Sequence, residues 1–257
     1  MKFELQKADI WKRMSAFLFD AVMLLVVIIA FIGMLYPLFN VLLDFSDNLD
    51  TFVEVSDEYT EAYGFEDVIS EEEYEALDEE RKAAYDGFKQ LYSDERYLKA
   101  LEVIITACFS MLSFGILLAF ILLELVIPVF FKNGQTLGKK MFGLAVMRTN
   151  GVKLDGQAHF IRVIIGKYTM ETMFPICIFL MMFFGLVGGT MGIIIGVLLV
   201  VLEIFAMAKT RTRSTIHDLV SDTVVIDMAS QMIFESEEAL LEYKTRIHEE
   251  MANKSEY

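Results

Sequence analysis

The amino-acid sequence predicts an all-α integral membrane protein with four transmembrane helices, a helical acidic extracellular insertion after the first, and a small cytoplasmic hairpin. Three observations support that class. Of 257 residues, 55% are hydrophobic and only three are proline, with a mean hydropathy of +0.48, a composition far from that of disordered chains. Uncharged runs of spanning length recur at residues 21–43, 103–123 and 172–202. Charge is segregated by segment, so orientation is read loop by loop.

Residues 1–43 form an N-terminal cytoplasmic segment and the first transmembrane helix. Lys2, Lys7, Trp11, Lys12 and Arg13 precede the apolar run, as at a cytoplasmic interface. The run is longer than the apolar region of a signal peptide and has no small-x-small cleavage site, so it reads as an uncleaved anchor. Residues 21–43 supply 23 uncharged positions, enough at about 1.5 Å per residue to cross a hydrocarbon core of about 30 Å. Pro37 is expected to kink or end this helix.

Residues 44–100 form an acidic extracytoplasmic loop. It holds 19 Asp and Glu against 5 Lys and Arg, nearly the whole of the net charge of −15. Ser70 and Glu73 fit a capping box, and Tyr74, Leu77, Arg81 and Tyr85 follow at near-helical spacing, so a helix is expected over about residues 71–88. Ser93-Asp94-Glu95 marks another helix start. The acidic face serves either to collect cations or dock an external partner, or plainly as a solvated helix surface.

The second transmembrane helix covers residues 101–131, with Glu124 and Pro128 near its inner end. In the loop 132–162, Lys132, Lys139, Lys140, Arg148, Lys153 and Arg162 stand against Asp155 alone, which makes the loop cytoplasmic. Within it, residues 144–148 and 152–154 flank Thr149-Asn150-Gly151 as a hairpin with an Asn-Gly turn. Residues 136–143 suit a short amphipathic surface segment. The run from Gly134 to Lys140 is a poor phosphate loop, because three residues rather than four separate its glycines and no Ser or Thr follows the lysine.

The 31 uncharged residues 172–202 are too many for one span, and Gly185, Gly188, Gly189 and Gly192 cluster midway. They divide into helix three, residues 163–186, and helix four, residues 190–208, joined by a short external turn. Four spans return Lys209, Arg211 and Arg213 to the cytoplasm, whereas three would export them. Residues 209–257 are then a cytoplasmic segment with an acidic helical tail, so both termini are cytoplasmic. Cys108 and Cys177 lie inside apolar runs as small hydrophobes. The chain has no evident internal repeat of the inverted-transporter kind.

Charges inside these spans are the candidate functional residues. A carboxylate such as Asp20 costs roughly 2.5–3.5 kcal/mol at the centre of a span, and so faces a bundle interior, a partner or water. Arg13 shares its helix face at about 10 Å of axial rise, so a third group is needed to complete a site. Glu124, Glu171 and Glu203 bring a carboxyl from each of the other spans. If they converge, they make an acidic cavity open to the cytoplasm, with Arg13, Lys167 or Lys209 as counter-charges and protons shared among crowded carboxyls. For Glu124 and Glu203 the plainer alternative is an interfacial side chain reaching water. His217-Asp218 with Asp222 is a weak metal signal, since a site needs three or four ligands. No metal or other cofactor is expected, and no nucleophile–base pattern points to an enzyme.

Three blocks carry a family resemblance. The segment from Trp11 to Asp20, Trp-Lys-Arg-Met-Ser-Ala-Phe-Leu-Phe-Asp, resembles the opening of the RDD family of membrane proteins, named for an arginine and two aspartates. Gly134-Gln-Thr-Leu-Gly138-Lys139-Lys140 is similar to its central cytoplasmic motif. The block from Arg213 through His217, Asp218 and Asp222 resembles its closing motif, which puts the second aspartate at Asp218. The resemblance covers about residues 8–43 and 101–227, and the loop 44–100 looks like an insertion. It implies a bacterial cell-membrane protein, and the exchange of sodium or other monovalent cations for protons that has been proposed for some members. Docking of Asp218 beside Arg13 and Asp20 at the inner membrane face would make the trio one site.

Two functions therefore compete. The first is a small-cation/proton exchanger acting through Asp20, with Arg13 and Asp218 setting its charge state and Glu124, Glu171 and Glu203 as further ion or proton sites. The second is a non-transporting scaffold in which Arg13, Asp20 and Asp218 are a structural clasp and the acidic segments recruit partners. Expected partners are the lipid bilayer, monovalent cations, protons and a second copy of the chain, since four helices alone make a small pathway. Nothing in the sequence points to nucleic acid.

Overall fold

The computed structural model describes residues 8–131, 133–183, 188–210 and 214–255. Lys2, Lys7, Lys132, Gly185, Arg211 and Arg213, used above to set the topology, lie outside the described residues. Four helices are long and apolar enough to cross a membrane: Ile10–Leu43, Glu95–Phe131, Gly156–Met182 and Gly189–Ala206. Among the described residues the only sheet has two strands, so the architecture is that of an all-α membrane protein. Large apolar side chains stand exposed along the spans, among them Val26, Ile29, Ile193 and Val197, as suits surfaces that face lipid. The chain divides into two compact units, Ile28–Ile116 and Met1–Val27 with Leu117–Tyr257.

In the unit Ile28–Ile116, helix α1 (Ile10–Leu43) runs through Pro37 rather than ending there. Asp44 then turns the chain in the left-handed region, with φ 50°, and α2 (Phe45–Tyr63) follows at once. The sequence gives no expectation of this helix, because its charges dominate its composition. Its apolar positions nevertheless recur at Phe52, Val55, Tyr59 and Tyr63, a helical spacing, and all four join one aromatic core. Gly64 ends α2 with φ 71°, a conformation that glycine adopts without steric cost.

The expected helix over residues 71–88 is two helices, α3 (Glu71–Glu75) and α4 (Glu79–Phe88). The Ser70–Glu73 capping box forms, with Ser70 N donating to Glu73 Oε2 at 2.8 Å and Glu73 N to Ser70 Oγ at 3.3 Å. The break arises because Asp78 starts a helix of its own, accepting from Arg81 N at 2.8 Å, and such N-caps favour a new start over continuation. Phe65, Tyr85, Phe88, Leu91 and Tyr97 complete the core with Val55, and the Arg81 guanidinium lies 4.7 Å from the Phe65 ring centre. Helix α5 (Glu95–Phe120) begins where Asp94 accepts from Arg96 N at 2.8 Å, and buries Ala107 and Met111 with Phe39 and Phe45.

In the other unit, α5 continues through a π-helical turn, Ile121–Val126, into α6 (Ile127–Phe131). The short α7 (Leu137–Met141) precedes strand β1 (Leu144–Arg148). The third span comprises α8 (Gly156–Phe160), a π-helical stretch Ile161–Met173, and α9 (Phe174–Phe183). Then come α10 (Gly189–Lys209), α11 (Ile216–Val220), β2 (Thr223–Asp227) and α12 (Glu237–Ser255).

The expected hairpin is realised differently. Strand β1 takes its ladder from the distant β2, antiparallel, with Leu144 opposite Asp227 and Arg148 opposite Thr223. The turn at residues 149–151 persists, with Arg148 N donating to the Val152 carbonyl at 2.9 Å and a Met147–Lys153 bridge, but the return segment is short and Val152 goes on to bridge Phe234. Residues 144–147 and 223–226 are buried on both faces, and a doubly buried strand selects a partner as apolar as itself. Ala8 and Ala16, at the base of α1, pack on one face of this ribbon with Leu144, Val146 and Val225.

Phe88 is 1% exposed, and replacing such a core phenylalanine with alanine costs about 3–5 kcal/mol. Phe88→Ala should therefore open residues 45–93 to limited proteolysis in the intact, detergent-solubilised protein. Protection equal to that of the wild type would show that this segment is not held by the aromatic core.

Candidate functional site

Asp218 lies within α11 and is 0% exposed. Its Oδ2 accepts from Thr215 N at 3.2 Å, Thr215 Oγ1 at 3.0 Å and Arg13 Nη2 at 3.3 Å. Its Oδ1 is ion-paired with Arg162 Nη1. Arg162, itself buried, also donates to Thr223 Oγ1 at 2.5 Å. Burial alone would raise the Asp218 carboxyl, but the Arg162 guanidinium, with Arg13 and the Thr215 amide, outweighs it and holds the group well below the usual carboxylate range.

His217 connects this ion pair to a second group of carboxyls. Its Nε2 is 3.1 Å from Arg162 Nη2. Arginine only donates, so Nε2 accepts and the proton sits on Nδ1, a tautomer assigned from the hydrogen-bond network. Nδ1 then donates to the Glu171 carboxyl, at 2.7 and 2.8 Å from its oxygens, and His217 N donates to Glu171 Oε1 at 3.0 Å. Burial, reinforced by the charge of Arg162, keeps the imidazole well below its ordinary value and therefore neutral. Gly166 permits this approach, since a Cβ there would fall 2.5 Å from His217 Cβ. Across the site, the Glu203 carboxyl of α10 lies within hydrogen-bonding reach of Glu171. Glu203 Oε1 is buried and accepts no hydrogen bond from a described donor.

Asp20 is placed apart from Arg13 and Asp218, not with them in a single trio. Its Oδ2 accepts from Thr136 Oγ1 at 2.5 Å and its Oδ1 from Gly138 N at 2.7 Å, so it binds the first turn of α7. Seven residues of helix carry Asp20 about 10 Å up α1 from Arg13, where α7 rather than α11 meets it. Gly138 has to be glycine here, because a Cβ would strike the Ala16 carbonyl and the Asp20 carboxyl. Thr136 Oγ1 is also 3.2 Å from Lys139 Nζ. Burial, then the charge of Lys167, lowers the Lys139 ammonium to about 8, with Glu124 opposing.

Glu124 pairs with Lys167 at 2.7 Å. A crevice lined by Asp20, Met23, Leu24, Leu123, Glu124 and Leu137 separates these carboxylates, with room for about one water. Of the expected counter-charges, Arg13 and Lys167 lie within the cluster and Lys209 is exposed. Arg162 was not singled out by the sequence, where it is one of several basic residues in the loop 132–162. Its only distinguishing signal is its position at the entry of a span. His217 was considered only as a metal ligand, and no group of three or more His, Cys, Asp or Glu among the described residues has metal-binding geometry.

A family model described as RDD family matches residues 7–222, the greater part of the chain. No curated protein and no solved structure matches.

Two measurements follow from this geometry. Asp218→Asn leaves the buried Arg162 and the half-buried Arg13 short of a counter-charge, a change worth about 3–5 kcal/mol, and should lower the thermal midpoint of the solubilised protein sharply. The folded-state value of Asp218 is depressed, so its contribution is complete above about pH 4 and is lost only as pH falls further. A wild-type advantage over Asp218→Asn that vanished between pH 8 and 5 would contradict the assignment. Lys139 behaves in the opposite part of the scale: between about 8 and about 10.4 the unfolded chain binds more protons than the folded one, so stability rises with pH there. Lys139→Met should be more stable than the wild type near pH 7, and the gap should narrow through that window; a gap independent of pH would refute the lowered ammonium.

Proposed function

The chain belongs to the RDD family, and from that premise we propose that it exchanges a monovalent cation for protons at the paired carboxyls of Glu171 and Glu203. One observation carries this reading: two carboxyls from different spans meet beside a neutral histidine, and a buried oxygen of one of them has no donor among the described residues. Two carboxyls at hydrogen-bonding distance are satisfied either by a proton between them or, when both are ionised, by a cation. Proton and cation then compete for one place, which couples their movements. Intramembrane carboxyls without fixed partners mark ion and proton pathways.

The remaining charges support that site. Arg13, Asp218 and Arg162 form a clasp, Asp20 holds α7, and Glu124 with Lys167 is a neutral pair. The positive-inside pattern puts both termini and the basic loop in the cytoplasm of a bacterial cell, so the carboxyl pair is reached from that side. The protein is not an enzyme in this reading, and a homo-oligomer would enlarge the pathway.

A scaffold role has one observation of its own. Residues 45–93 build an aromatic core under a strongly acidic surface, structure that ion exchange does not require and partner recruitment would use.

Sodium- and potassium-driven proton flux in proteoliposomes separates the two. Exchange predicts flux in the wild type, its loss in Glu171→Gln and in Glu203→Gln with the folded fraction unchanged, and a loss of folded protein as the main effect of Asp20→Asn. Absence of flux from well-folded wild-type protein would leave the scaffold reading in possession.

A further inference from the structure

We infer that Thr169 and Thr172 are positioning residues whose hydroxyls hold the third span in its π winding, and that this winding aims Lys167 and Glu171 at their partners. Its functional weight rests on the exchange site proposed above; its structural content is independent of it.

The π-helical stretch Ile161–Met173 has 13 residues, whereas π winding is ordinarily confined to a single turn. Something in the sequence must sustain it. Thr169 Oγ1 donates to the Ile164 carbonyl at 2.8 Å, and Thr172 Oγ1 donates to the Lys167 carbonyl at 2.9 Å. Each reaches back five residues, while a threonine in an α-helix reaches back three or four. The backbone closes the same interval at the end of the stretch, where Phe174 N donates to the Thr169 carbonyl. Wider winding leaves carbonyls imperfectly satisfied in a medium without water, and side-chain hydroxyls are the groups that can re-satisfy them there.

The winding decides which charges share a face. With 3.6 residues per turn, Lys167 would stand about 140° around the helix from Arg162, and Glu171 about 180°. With bonds from i to i+5 the turn takes more than four residues, so Lys167 swings back toward the side of Arg162 and Glu171 returns to that side two turns on. The contacts follow the second pattern. Arg162 meets Asp218 and His217, Lys167 meets Glu124, Glu171 meets His217, and Gly166 between them admits His217 to the helix surface. An α register would keep Arg162 in place and turn Glu171 away from both His217 and Glu203. Glu124, the partner of Lys167, lies in the π turn of the second span.

The test measures the Glu171–Glu203 approach without relying on flux. In full-length protein with Cys108→Ala and Cys177→Ala, Glu171→Cys and Glu203→Cys are joined by a short bifunctional thiol reagent, and the initial cross-linking rate is read. Adding Thr169→Val and Thr172→Val should slow it about tenfold, the combined weight of two neutral hydrogen bonds, and Thr169→Ser with Thr172→Ser should restore it. Equal rates in the valine and threonine proteins, at equal folded fraction, would overturn the inference. Should the double valine protein not fold, Thr172→Val alone is read in the same way. In the native carboxyl background, the valine variants should also shift the pH profile of cation-driven proton flux, which serine should return. Slower cross-linking in a protein whose wild type carries no flux would uphold the positioning role while removing the exchange reading; unchanged cross-linking in a protein that does carry flux would do the reverse.

Discussion

The burial of one negative charge, that of Asp218, between two arginines is the constraint on which the unit around it depends. The carboxylate is 0% exposed and draws Arg13 from the base of α1 and Arg162 from the entry of the third span. Arg162 extends the hold to Thr223 at the start of β2. Three stretches distant in sequence, α1, the third span and α11 with β2, are thereby joined at one carboxylate. A buried ion pair of this kind is seldom more stable than a well-packed apolar alternative. Its contribution is directional: only one placement of α1, α11 and the third span brings both arginines to the carboxylate, and any other leaves a charge unpaired in a dry site.

The clasp divides the polar residues of the site into two kinds. Arg13 and Arg162 are ion-paired with Asp218, Glu124 has Lys167, and Asp20 has the first turn of α7. Groups held by such fixed partners are poor places to exchange anything, because removing a partner exposes a buried charge. Glu171 and Glu203 differ. Glu171 receives its hydrogen bonds from a neutral histidine and a backbone amide, not from a cation at contact distance, and Glu203 offers an oxygen with no described donor. The exchange and clasp readings therefore need not compete for the same residues. Each describes one end of a continuous hydrogen-bonded chain that passes through His217.

How much of this was legible in the sequence follows from the range of the interactions involved. The four spans were legible, because insertion depends on hydrophobicity summed over some twenty neighbouring residues. The Ser70–Glu73 capping box was legible for the same reason, being complete within four residues. Arg13 was legible on the helix face of Asp20, but Asp218 was joined to it only through a family resemblance, and their contact spans 205 residues. Asp20 was legible as a polar residue in a span, yet its partners Thr136 and Gly138 were not, since nothing local ties α1 to α7. The turn at residues 149–151 was legible because Asn-Gly is a strong short-range signal, but the ladder between β1 and β2 was not, since the burial that chooses β2 is a tertiary one. Helix α2 was passed over because charge obscured an aromatic stripe that was present at helical spacing.

The π winding is the most instructive omission, because it changes what the sequence means without changing any residue. Read with 3.6 residues per turn, Arg162, Lys167 and Glu171 point different ways, and the third span offers isolated charges to lipid. Read with the wider winding, they line one face, each with a partner. In water the two registers would differ little in how their carbonyls are satisfied, since solvent would bond whichever were left open. In a hydrocarbon phase they differ by every such group, and the threonine hydroxyls become part of the backbone's own hydrogen bonding. The same apolar surroundings that make a charged residue costly in a span thus let two hydroxyls determine where the charges face.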